Sequence, residues 1–580
     1  MIKHIRWQIL LVLVGVGLLI TLLIYVALNF TTVWVASSGG TYVEGLAGAP
    51  QFINPLLCQT YEADNDLCSL MFNGLTRLDH KGVVVPDLAL RWDVSPEGLT
   101  YTFHLRRGVR WHDGQPFTAN DVVFTLKLLQ DPDFPGWADW GKLWRAVTVT
   151  QVDDYTVRFE LASPLAPFLD YTTVGILPSH LLQDVSASEL LDHPFNLNPV
   201  GTGMYSLSEI VTDTGRISHI TLQANPRYFR QRPLIARIQF KFYPSYQAVY
   251  QAYLDDQVQG ISRVAADNLA DAQANPDLKL FSSVLPRYSL IYLNLASETA
   301  PFLAEPEVRQ ALMYALDRQA LVDQVLEGQA VVAQGPVLPN SWAYTPTVPL
   351  YDYDPAKAIA LLEETGWEAL GETETSPSSD SATLTNTVSA WSKERRTLSF
   401  ALLVPDDPTR LAVAHEIARQ WALLGIRANV EPVATGLLSE RIKPRLYQAA
   451  LVELDLTLSG DPDPYTFWHQ TQIEAPGQNY ASYDNRDMSE ILEAARLTPD
   501  REARKKLYYK FQQLFAQDVP ALLLYQPVYT YAIDRYVRGV NVGPIVRPGD
   551  RFLGVADWYV RLRRVIRSAA EGEGLEPITP

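Results

Sequence analysis

Residues 99–125, "LTYTFHLRRGVRWHDGQPFTANDVVFT", carry the signals of a strand, a tight turn and a helix in immediate succession. The alternation at the start of this stretch is typical of a strand, and "WHDG" at 111–114 predicts the turn that ends it. Thr118 and Asp121 stand three apart ahead of an apolar stripe, which predicts a capping box and a helix. A strand leading into a capped helix favours a chain of mixed α and β structure.

Other motifs that suggest catalysis or metal binding are incomplete. His112 and Asp113 supply at most two metal ligands, and the spacing fixes no third. His415 and Glu416 lack the second His of a zinc-protease helix, and "GTG" at 201–203 lacks the Lys-Ser/Thr pair of a phosphate loop. The sequence contains no G-x-S-x-G elbow. We therefore predict no catalytic residue, no metal site and no cofactor.

The stretches around this signal divide the chain into two parts. Strands such as "GTYVEGL" (40–46) and "DDYTVRFEL" (153–161) predict mixed α and β structure with many hairpins from residue 41 to about 285. Beyond this point the pattern is rich in helices. Residues 397–433 predict strand, helix and strand, which is a right-handed crossover unit in a partly parallel sheet.

Three further segments complete the second part. Apolar residues at helical spacing predict one helix over 306–328, ending at Gly328. Asp354 and Pro355 predict the start of another helix. Residues 368–396 are rich in Ser, Thr and Glu and have no periodicity, so they predict a flexible insertion.

The charge balance excludes one class of partner. The chain has 580 residues and a formal net charge of -17, and its 47% hydrophobic content is enough for several buried cores. A surplus of negative charge repels phosphate backbones, so we expect no nucleic acid partner.

The first residues predict a membrane anchor. Lys3 and Arg6 precede an uncharged run from Ile9 to Leu28, long enough to cross a bilayer as a helix. Positive charge ahead of the run predicts a single anchor in the cell membrane, with the bulk of the chain on the extracytoplasmic face. A cleaved signal peptide stays open as the alternative, because "VWVASSGG" at 33–40 offers small residues to a peptidase.

Export affects the interpretation of the two cysteines, Cys58 and Cys68, which are the only ones in the chain. Outside the cell they are expected to form a disulfide that closes an eleven-residue loop. Two unpaired buried thiols remain the alternative, because the sequence does not give the distance between them.

A rigid acidic and aromatic segment, "LSGDPDPYTFW" at 458–468, permits several hypotheses. As a calcium loop starting at Asp461 it fails, because Gln472 occupies the twelfth position, where a bidentate Glu is required. As an acid/base pair, Asp461 and Asp463 lack an apolar pocket and a third group. A turn that presents aromatic residues from the carboxyl end of a strand to a ligand is the remaining interpretation. A purely structural turn stays open beside it.

Ten stretches, in order, resemble one protein family across nearly the whole chain after residue 50. They are "FINPLL", "MFNGLTRLD", the long segment from "VPDLALRW" at 85 to "NDVVFT" at 125, "NPVGTGMYSL", "NPRYF", "VRQALMYALDRQALV", "YDPAKAIALLEETGW", "DPDPYTFW", "NYASYDN" and "DVPALLLY". The chain resembles the extracellular solute-binding proteins, family 5, which serve peptide and nickel ABC transporters.

The resemblance implies a two-lobe α/β fold like that of the periplasmic binding proteins (type II, cluster C, with an extra subdomain), preceded here by the N-terminal transmembrane helix. The lobes would be joined by crossings near "RYSLIYLNL" and "LLLYQPVYTYA". The expected parts are an anchor or signal (1–36), lobe I (41–76, 197–285 and 529–562), its subdomain (77–196), lobe II (286–528) and a loose tail (563–580).

The expected function is capture of a solute between the lobes and delivery to the permease subunits of an ABC importer, by a monomer that is not an enzyme. A tethered sensor with the same fold is the main alternative, and a secreted hydrolase is a weaker one. The candidate ligand-binding residues are Tyr61, Tyr288, Asn294, Trp342, Asp455, Leu458, Asp461 and Trp468.

One candidate departs from the family pattern. In the peptide-binding members an aspartate shortly before the "DP" turn receives the peptide's ammonium group, and the matching position here is Leu458. Glu453 and Asp455 lie near, but alternation along the strand leaves open whether either faces the ligand. Because an ammonium buried without a carboxylate is costly, we expect free-amino dipeptides to bind poorly. The solute would be a longer or blocked peptide, an oligosaccharide or a metal chelate.

Overall fold

The computed structural model describes residues 2–59, 61–79, 83–136, 138–339, 341–349, 351–370, 388–456, 461–475, 477–543, 545–572 and 574–578. The strands, in chain order, are β1 (Thr32–Ser37), β2 (Thr41–Ala47), β3 (Thr76–Leu78), β4 (Val84–Pro86), β5 (Ala89–Val94), β6 (Thr100–Leu105), β7 (Val147–Asp153), β8 (Thr156–Leu161), β9 (Tyr205–Asp213), β10 (Arg216–Ala224), β11 (Arg237–Tyr243), β12 (Gly260–Ile261), β13 (Leu278–Val284), β14 (Arg287–Leu293), β15 (Ala330–Val332), β16 (Glu368–Leu370), β17 (Ala390–Lys393), β18 (Arg396–Thr397), β19 (Ser399–Pro405), β20 (Arg427–Val433), β21 (Ala449–Asp455), β22 (Ala521–Asp534) and β23 (Arg561–Ile566).

The α-helices are α1 (Ile2–Thr31), α2 (Glu62–Met71), α3 (Ala119–Gln130), α4 (Ala138–Arg145), α5 (Phe168–Tyr171), α6 (Ser179–Leu182), α7 (Tyr246–Leu254), α8 (Ala266–Ala274), α9 (Pro306–Tyr314), α10 (Arg318–Gln324), α11 (Pro355–Glu364), α12 (Pro408–Leu423), α13 (Thr435–Ile442), α14 (Tyr465–Trp468), α15 (Arg486–Leu497), α16 (Arg501–Asp518) and α17 (Arg567–Gly572). Short 3-10 helices occupy Ala187–Asp192, Pro194–Leu197, Pro301–Ala304, Gln470–Gln472, Pro548–Phe552 and Val555–Asp557.

One long sheet connects the two lobes. Its main path within the described residues is β20-β19-β21-β14-β22-β12-β2-β11-β10-β9, and β13 and β15 also pair with β22. Residues 521–525 of β22 pair with β14 in lobe II, whereas residues 528–534 pair with β13 in lobe I. The two segments predicted as crossings form β14 and β22, which lie side by side in this sheet. Strands β19 and β20 are parallel and α12 connects them, so the predicted strand, helix and strand of a partly parallel sheet are confirmed.

A second sheet forms the core of the subdomain. Its four antiparallel strands have the order β5-β6-β8-β7, and α3 and α4 pack beside it. The Phe159 and Phe168 rings meet edge to face with centroids 5.8 Å apart, and Trp144 joins them. The capping box that begins α3 is confirmed, since Thr118 and Asp121 exchange side-chain and backbone hydrogen bonds.

The "WHDG" turn is a structural element. The backbone amide of Gly201 donates to Nδ1 of His112 at 3.1 Å, and Nε2 of His112 lies 3.0 Å from the carbonyl oxygen of Gly203. Burial lowers the pKa of His112 to about 4, so its ring is neutral. A Cβ at Gly201 would lie 1.7 Å from the carbonyl oxygen of Met71, which explains the glycine. Two motifs that are distant in sequence therefore stabilise one corner.

Several predicted boundaries need correction. The helix predicted over 306–328 is two helices, because Asp317 caps α10 by accepting from the amide of Ala320 at 2.8 Å. The insertion predicted over 368–396 has strands β16, β17 and β18 at its ends, where Trp391 is fully buried. These ends are ordered because apolar residues such as Trp391 pack into lobe II. The middle of the insertion, 371–387, lies outside the described residues.

The C-terminal segment is also more ordered than expected. Residues 563–580 were predicted as a loose tail, yet β23 pairs along its whole length with β1. Ala570 of α17 packs against Val33 and Val35, and Ile578 forms a bridge with Trp34. The end of the chain therefore buries the apolar side chains of β1, which explains why this segment is ordered.

The predicted membrane anchor finds no support in the structure. Crossing a bilayer requires about twenty predominantly apolar residues in one helix. In the part of the chain that the structure describes, none of the helices combines that length with that apolar character.

Candidate functional site

A cavity of about 660 Å³ lies between the subdomain and lobe II. The subdomain side contributes Trp140, Lys142 and Leu143 from α4, together with Tyr171 from α5. Lobe II contributes the carboxyl end of β21, the turn that precedes α14, and residues near α12, α13 and α15. Carboxyl ends of strands are where α/β folds place their ligands.

The two walls touch beside this cavity. The amide of Ala166 in the subdomain donates to the carbonyl oxygen of Arg496 in lobe II at 3.2 Å. Residues that lie hundreds of positions apart therefore line one cavity. A cavity of this size falls within the range of small-molecule sites, about 300–1,000 Å³.

Four carboxylates line the lobe II wall, and each has an arginine partner. The ion pairs are Glu453 with Arg410 (3.1 Å), Asp455 with Arg287 (3.0 Å), Asp461 with Arg504 (2.6 Å) and Asp463 with Arg496 (2.7 Å). Glu453 and Asp455 stand two residues apart on β21, so their side chains share one face of the strand. The question that the sequence left open is thereby answered: both residues line the cavity.

Asp461 is the most deeply buried of the four. Its side chain is 4% exposed, and besides Arg504 it accepts a hydrogen bond from the Tyr508 hydroxyl at 3.0 Å. Burial raises the pKa of Asp461 to about 7, although Arg504 and the Tyr508 hydroxyl favour its charged form. Trp342 packs on both partners, with its ring 5.6 Å from that of Tyr508 and 4.9 Å from the Arg504 guanidinium.

Aromatic side chains form much of the remaining surface. Tyr465 stacks on His469 with ring centroids 4.0 Å apart, and the Arg496 guanidinium lies 3.8 Å from the Tyr465 ring. Tyr171 faces this group from the subdomain, and burial together with Asp463 raises the pKa of its hydroxyl. Stacked rings and fixed guanidinium groups give the wall a rigid shape that suits extended or planar ligand groups.

Of the seven candidate residues that the structure describes, two line the cavity, Asp455 and Asp461. Tyr61 is 41% exposed and precedes α2. Asn294 is buried and donates to the carbonyl oxygens of Arg445 and Tyr447, so it fixes a loop.

Three other candidates pack within lobe II and do not line the cavity. Tyr288 and Trp468 are buried in the lobe II core, and Trp342 supports the Asp461 network. Leu458 lies outside the described residues. The sequence suggested these positions because they are aromatic or polar residues near motifs. Residue type and nearness to a motif do not show whether a side chain lies in the core or lines the cavity.

Sequence reasoning missed the subdomain wall and the arginines. Trp140 and Tyr171 lie in short helices with no motif of their own, and Arg410 stands in the first turn of α12. The position of Arg410 after the carboxyl end of β19 was a usable signal, because that edge of the sheet is the ligand edge.

The predicted disulfide is absent from the structure. Cys58 and Cys68 are free thiols, both buried, and their side chains are within hydrogen-bonding contact. Burial raises the pKa of the Cys68 thiol, and the neighbouring Cys58 raises it further. The two sulfur atoms are adjacent, so the disulfide stays a prediction that oxidation outside the cell would fulfil.

Comparison with known proteins decides the family. The sequence model for "Bacterial extracellular solute-binding proteins, family 5 Middle" matches residues 83–477. The chain belongs to this family. The oligopeptide-binding protein AppA of Bacillus subtilis (strain 168) is 29% identical over 87% of this chain and 90% of its own length. The dipeptide-binding protein of Escherichia coli (strain K12) is 28% identical, over 89% and 94% respectively.

Solved structures of similar proteins agree with the fold. AppA of Bacillus subtilis, in complex with a nonapeptide, superposes with a TM-score of 0.71 at 28% identity and covers 91% of this chain and all of its own. NikZ of Campylobacter jejuni, in complex with Ni(L-His), has a TM-score of 0.71 at 24% identity. The match covers 90% of this chain and 99% of NikZ, and it supports the fold alone.

Membership of family 5 confirms the main expectations. The chain is an extracellular solute-binding protein with the two-lobe α/β fold, of the kind that serves ABC importers, and it is not an enzyme. The cavity between the subdomain and lobe II is the candidate solute site.

Proposed function

We propose that this protein captures an oligopeptide or peptide-like solute in the cavity between the subdomain and lobe II and delivers it to an ABC permease. The observation that carries the proposal is the cavity of about 660 Å³, whose walls come from both lobes and meet at the Ala166 to Arg496 hydrogen bond. Relatives at 28–29% identity are named for oligopeptide and dipeptide binding, which supports the choice of a peptide.

The charge pairs favour a particular kind of peptide. Each of the four lining carboxylates is already held by an arginine at 2.6–3.1 Å. A free ammonium group would have to share a carboxylate whose charge a guanidinium group already balances, so it would gain less than from an unpaired carboxylate. Because an ammonium buried without a counter-charge is costly, peptides that are longer or blocked at the amino end fit better than free-amino dipeptides.

An oligosaccharide or a metal chelate is the remaining kind of solute. Among the described residues there is no group of three or more His, Cys, Asp or Glu side chains that would hold a metal ion. A metal would therefore have to arrive with ligands of its own.

The proposed partner arrangement is a monomer beside a membrane permease. We propose the N-terminal tether on the sequence alone, from the uncharged run between Ile9 and Leu28. Alkaline washing of membranes tests it, since a tethered chain stays in the pellet. Release of the full-length chain or a shortened soluble form would exclude the tether.

The solute itself is best sought in two steps. Native mass spectrometry of the protein purified from cells identifies what it has captured. Thermal shift and calorimetry then measure defined peptides of two to nine residues, each with a free and an acetylated amino end. We expect binding from the longer or acetylated peptides. If no peptide of any length binds, and only a non-peptide solute is captured, the peptide proposal is wrong.

A further inference from the structure

Two lysines line the cavity without an acidic partner. Lys142 lies in α4 of the subdomain, and Lys443 follows the last residue of α13 in lobe II. Both residues are exposed. Across the described residues, neither ammonium group has a carboxylate within ion-pair distance.

The other charged groups of the cavity are balanced. The four lining carboxylates have four arginine partners, two of which, Arg410 and Arg496, also line the cavity. Residues 457–460, which lie between two lining segments, are Thr, Leu, Ser and Gly and carry no charge. Among the described residues that line the cavity, Lys142 and Lys443 are therefore the charged groups without an ion-pair partner.

The lysines project from different lobes. The proposed function requires the two walls to part and to close around the solute. Closure would bring two like charges into one space with less water, and their repulsion would oppose it. A ligand shifts such an equilibrium only by binding one state better than the other. An anionic group between the two ammonium groups would have this property, because only the closed state presents both cations to it.

We propose that the solute carries a carboxylate that Lys142 and Lys443 bind from opposite walls, so that the anion favours closure. This inference rests on the proposed function of the cavity. For a peptide, the carboxylate is the C-terminus or an acidic side chain. Lysine suits this role because its ammonium is a compact charge with rotatable donors that follow a flexible anion.

The test compares one bound peptide without acidic side chains as the free acid and as the C-terminal amide. The acid should bind at least about tenfold more tightly than the amide, because a charge-assisted hydrogen bond contributes that much to affinity. Lys142→Gln and Lys443→Gln should each reduce this preference, and the double variant should abolish it. The second possible source is an acidic side chain, and an amidated peptide with one Glu residue tests it. If this peptide binds tightly and the same substitutions weaken its binding, the side chain supplies the carboxylate.

Matched controls are Lys127→Gln in the subdomain and Lys506→Gln in lobe II, both exposed and away from the cavity. These variants should keep the preference for the acid. Equal affinity of acid and amide in the unmodified protein would overturn the inference while peptide binding itself stands. A preference that survives in the double variant would overturn it as well. Failure of every peptide to bind would instead contradict the proposed function.

Discussion

Nη2 of Arg504 lies 2.6 Å from Oδ2 of Asp461, and both side chains are more than 90% buried. The residue that the sequence suggested as a ligand contact is thus held by a helix of its own lobe. Asp461 still lines the cavity, so the pair fixes the wall on which the solute rests. Its contribution to stability and its contribution to binding can be measured separately.

Asp461→Asn should destabilise lobe II. The substitution keeps an acceptor for the Tyr508 hydroxyl but leaves the Arg504 guanidinium buried without a counter-charge. Breaking a buried pair from one side costs about 3–5 kcal/mol. We expect a loss of this size in the free energy of unfolding, measured with denaturant at pH 8, where the carboxylate is ionised.

The double substitution Asp461→Leu with Arg504→Met provides the control. Replacing both charges with apolar groups of similar size should recover most of the stability. If Asp461→Asn is as stable as the unmodified protein, the ion pair contributes nothing to stability and this prediction is wrong.

Arg410→Gln should improve the binding of free-amino peptides. Arg410 is the ion-pair partner of Glu453, and its removal leaves this carboxylate in the cavity available to an ammonium group. A gain of about 1–3 kcal/mol is expected from one charge-assisted hydrogen bond. Calorimetry with alanine dipeptides and tripeptides measures it.

Arg419→Gln is the matched control on the same helix, because Arg419 pairs with Glu416 on an exposed face. This variant should leave peptide affinity unchanged. Equal dipeptide affinity in Arg410→Gln and the unmodified protein would show that Glu453 does not receive the amine.

Leu458→Asp should also improve the binding of free-amino peptides. The family resemblance predicts a carboxylate at this position in peptide-binding members, and the substitution would introduce one here. We expect dipeptide affinity to rise, as measured by thermal shift. Micromolar dipeptide affinity in the unmodified protein, unchanged by this substitution, would show that Leu458 has no bearing on the solute.

Glu44→Gln should change how stability depends on pH. Glu44 is fully buried with Arg551 and Asp66, and burial raises its pKa from 4.5 to about 7. The folded state therefore holds this proton more tightly than the unfolded chain, so the associated stability is present below pH 4.5 and is lost as pH rises through 7. Glu44→Gln removes the titrating carboxyl group, so this variant should not lose that stability as the pH rises.

The measurement is denaturant unfolding of both proteins between pH 4.5 and 8. The unmodified protein should lose up to about 3 kcal/mol relative to Glu44→Gln over this range. A difference that is independent of pH would contradict the raised pKa of Glu44.

The two thiols should be oxidised in protein recovered from the extracytoplasmic face. Cys58 and Cys68 are in side-chain contact, and a disulfide across this loop would contribute about 3 kcal/mol. Thiol labelling after denaturation without reductant should find no free cysteine, and reduction should lower the melting temperature. Stoichiometric labelling of both residues would exclude the disulfide.

Local sequence signals determined the elements and the family. The capping box of Thr118 and Asp121, the Asp354 cap of α11 and the crossover unit over 397–433 depend on residues within one or two neighbouring elements. The order of ten short motifs determined the two-lobe architecture. Such signals survive in a linear sequence because helix caps, turns and strand alternation involve residues only a few positions apart.

The tertiary structure alone decided which side chains meet. Asp461 meets Arg504 on another element, and Tyr171 of the subdomain faces Asp463 across the cavity. The last strand covers β1 more than five hundred residues earlier in the chain. Periodicity shows which face of an element is apolar but not which distant element covers it. Long-range packing therefore decided the charge balance of the site, and with it the kind of solute that we propose.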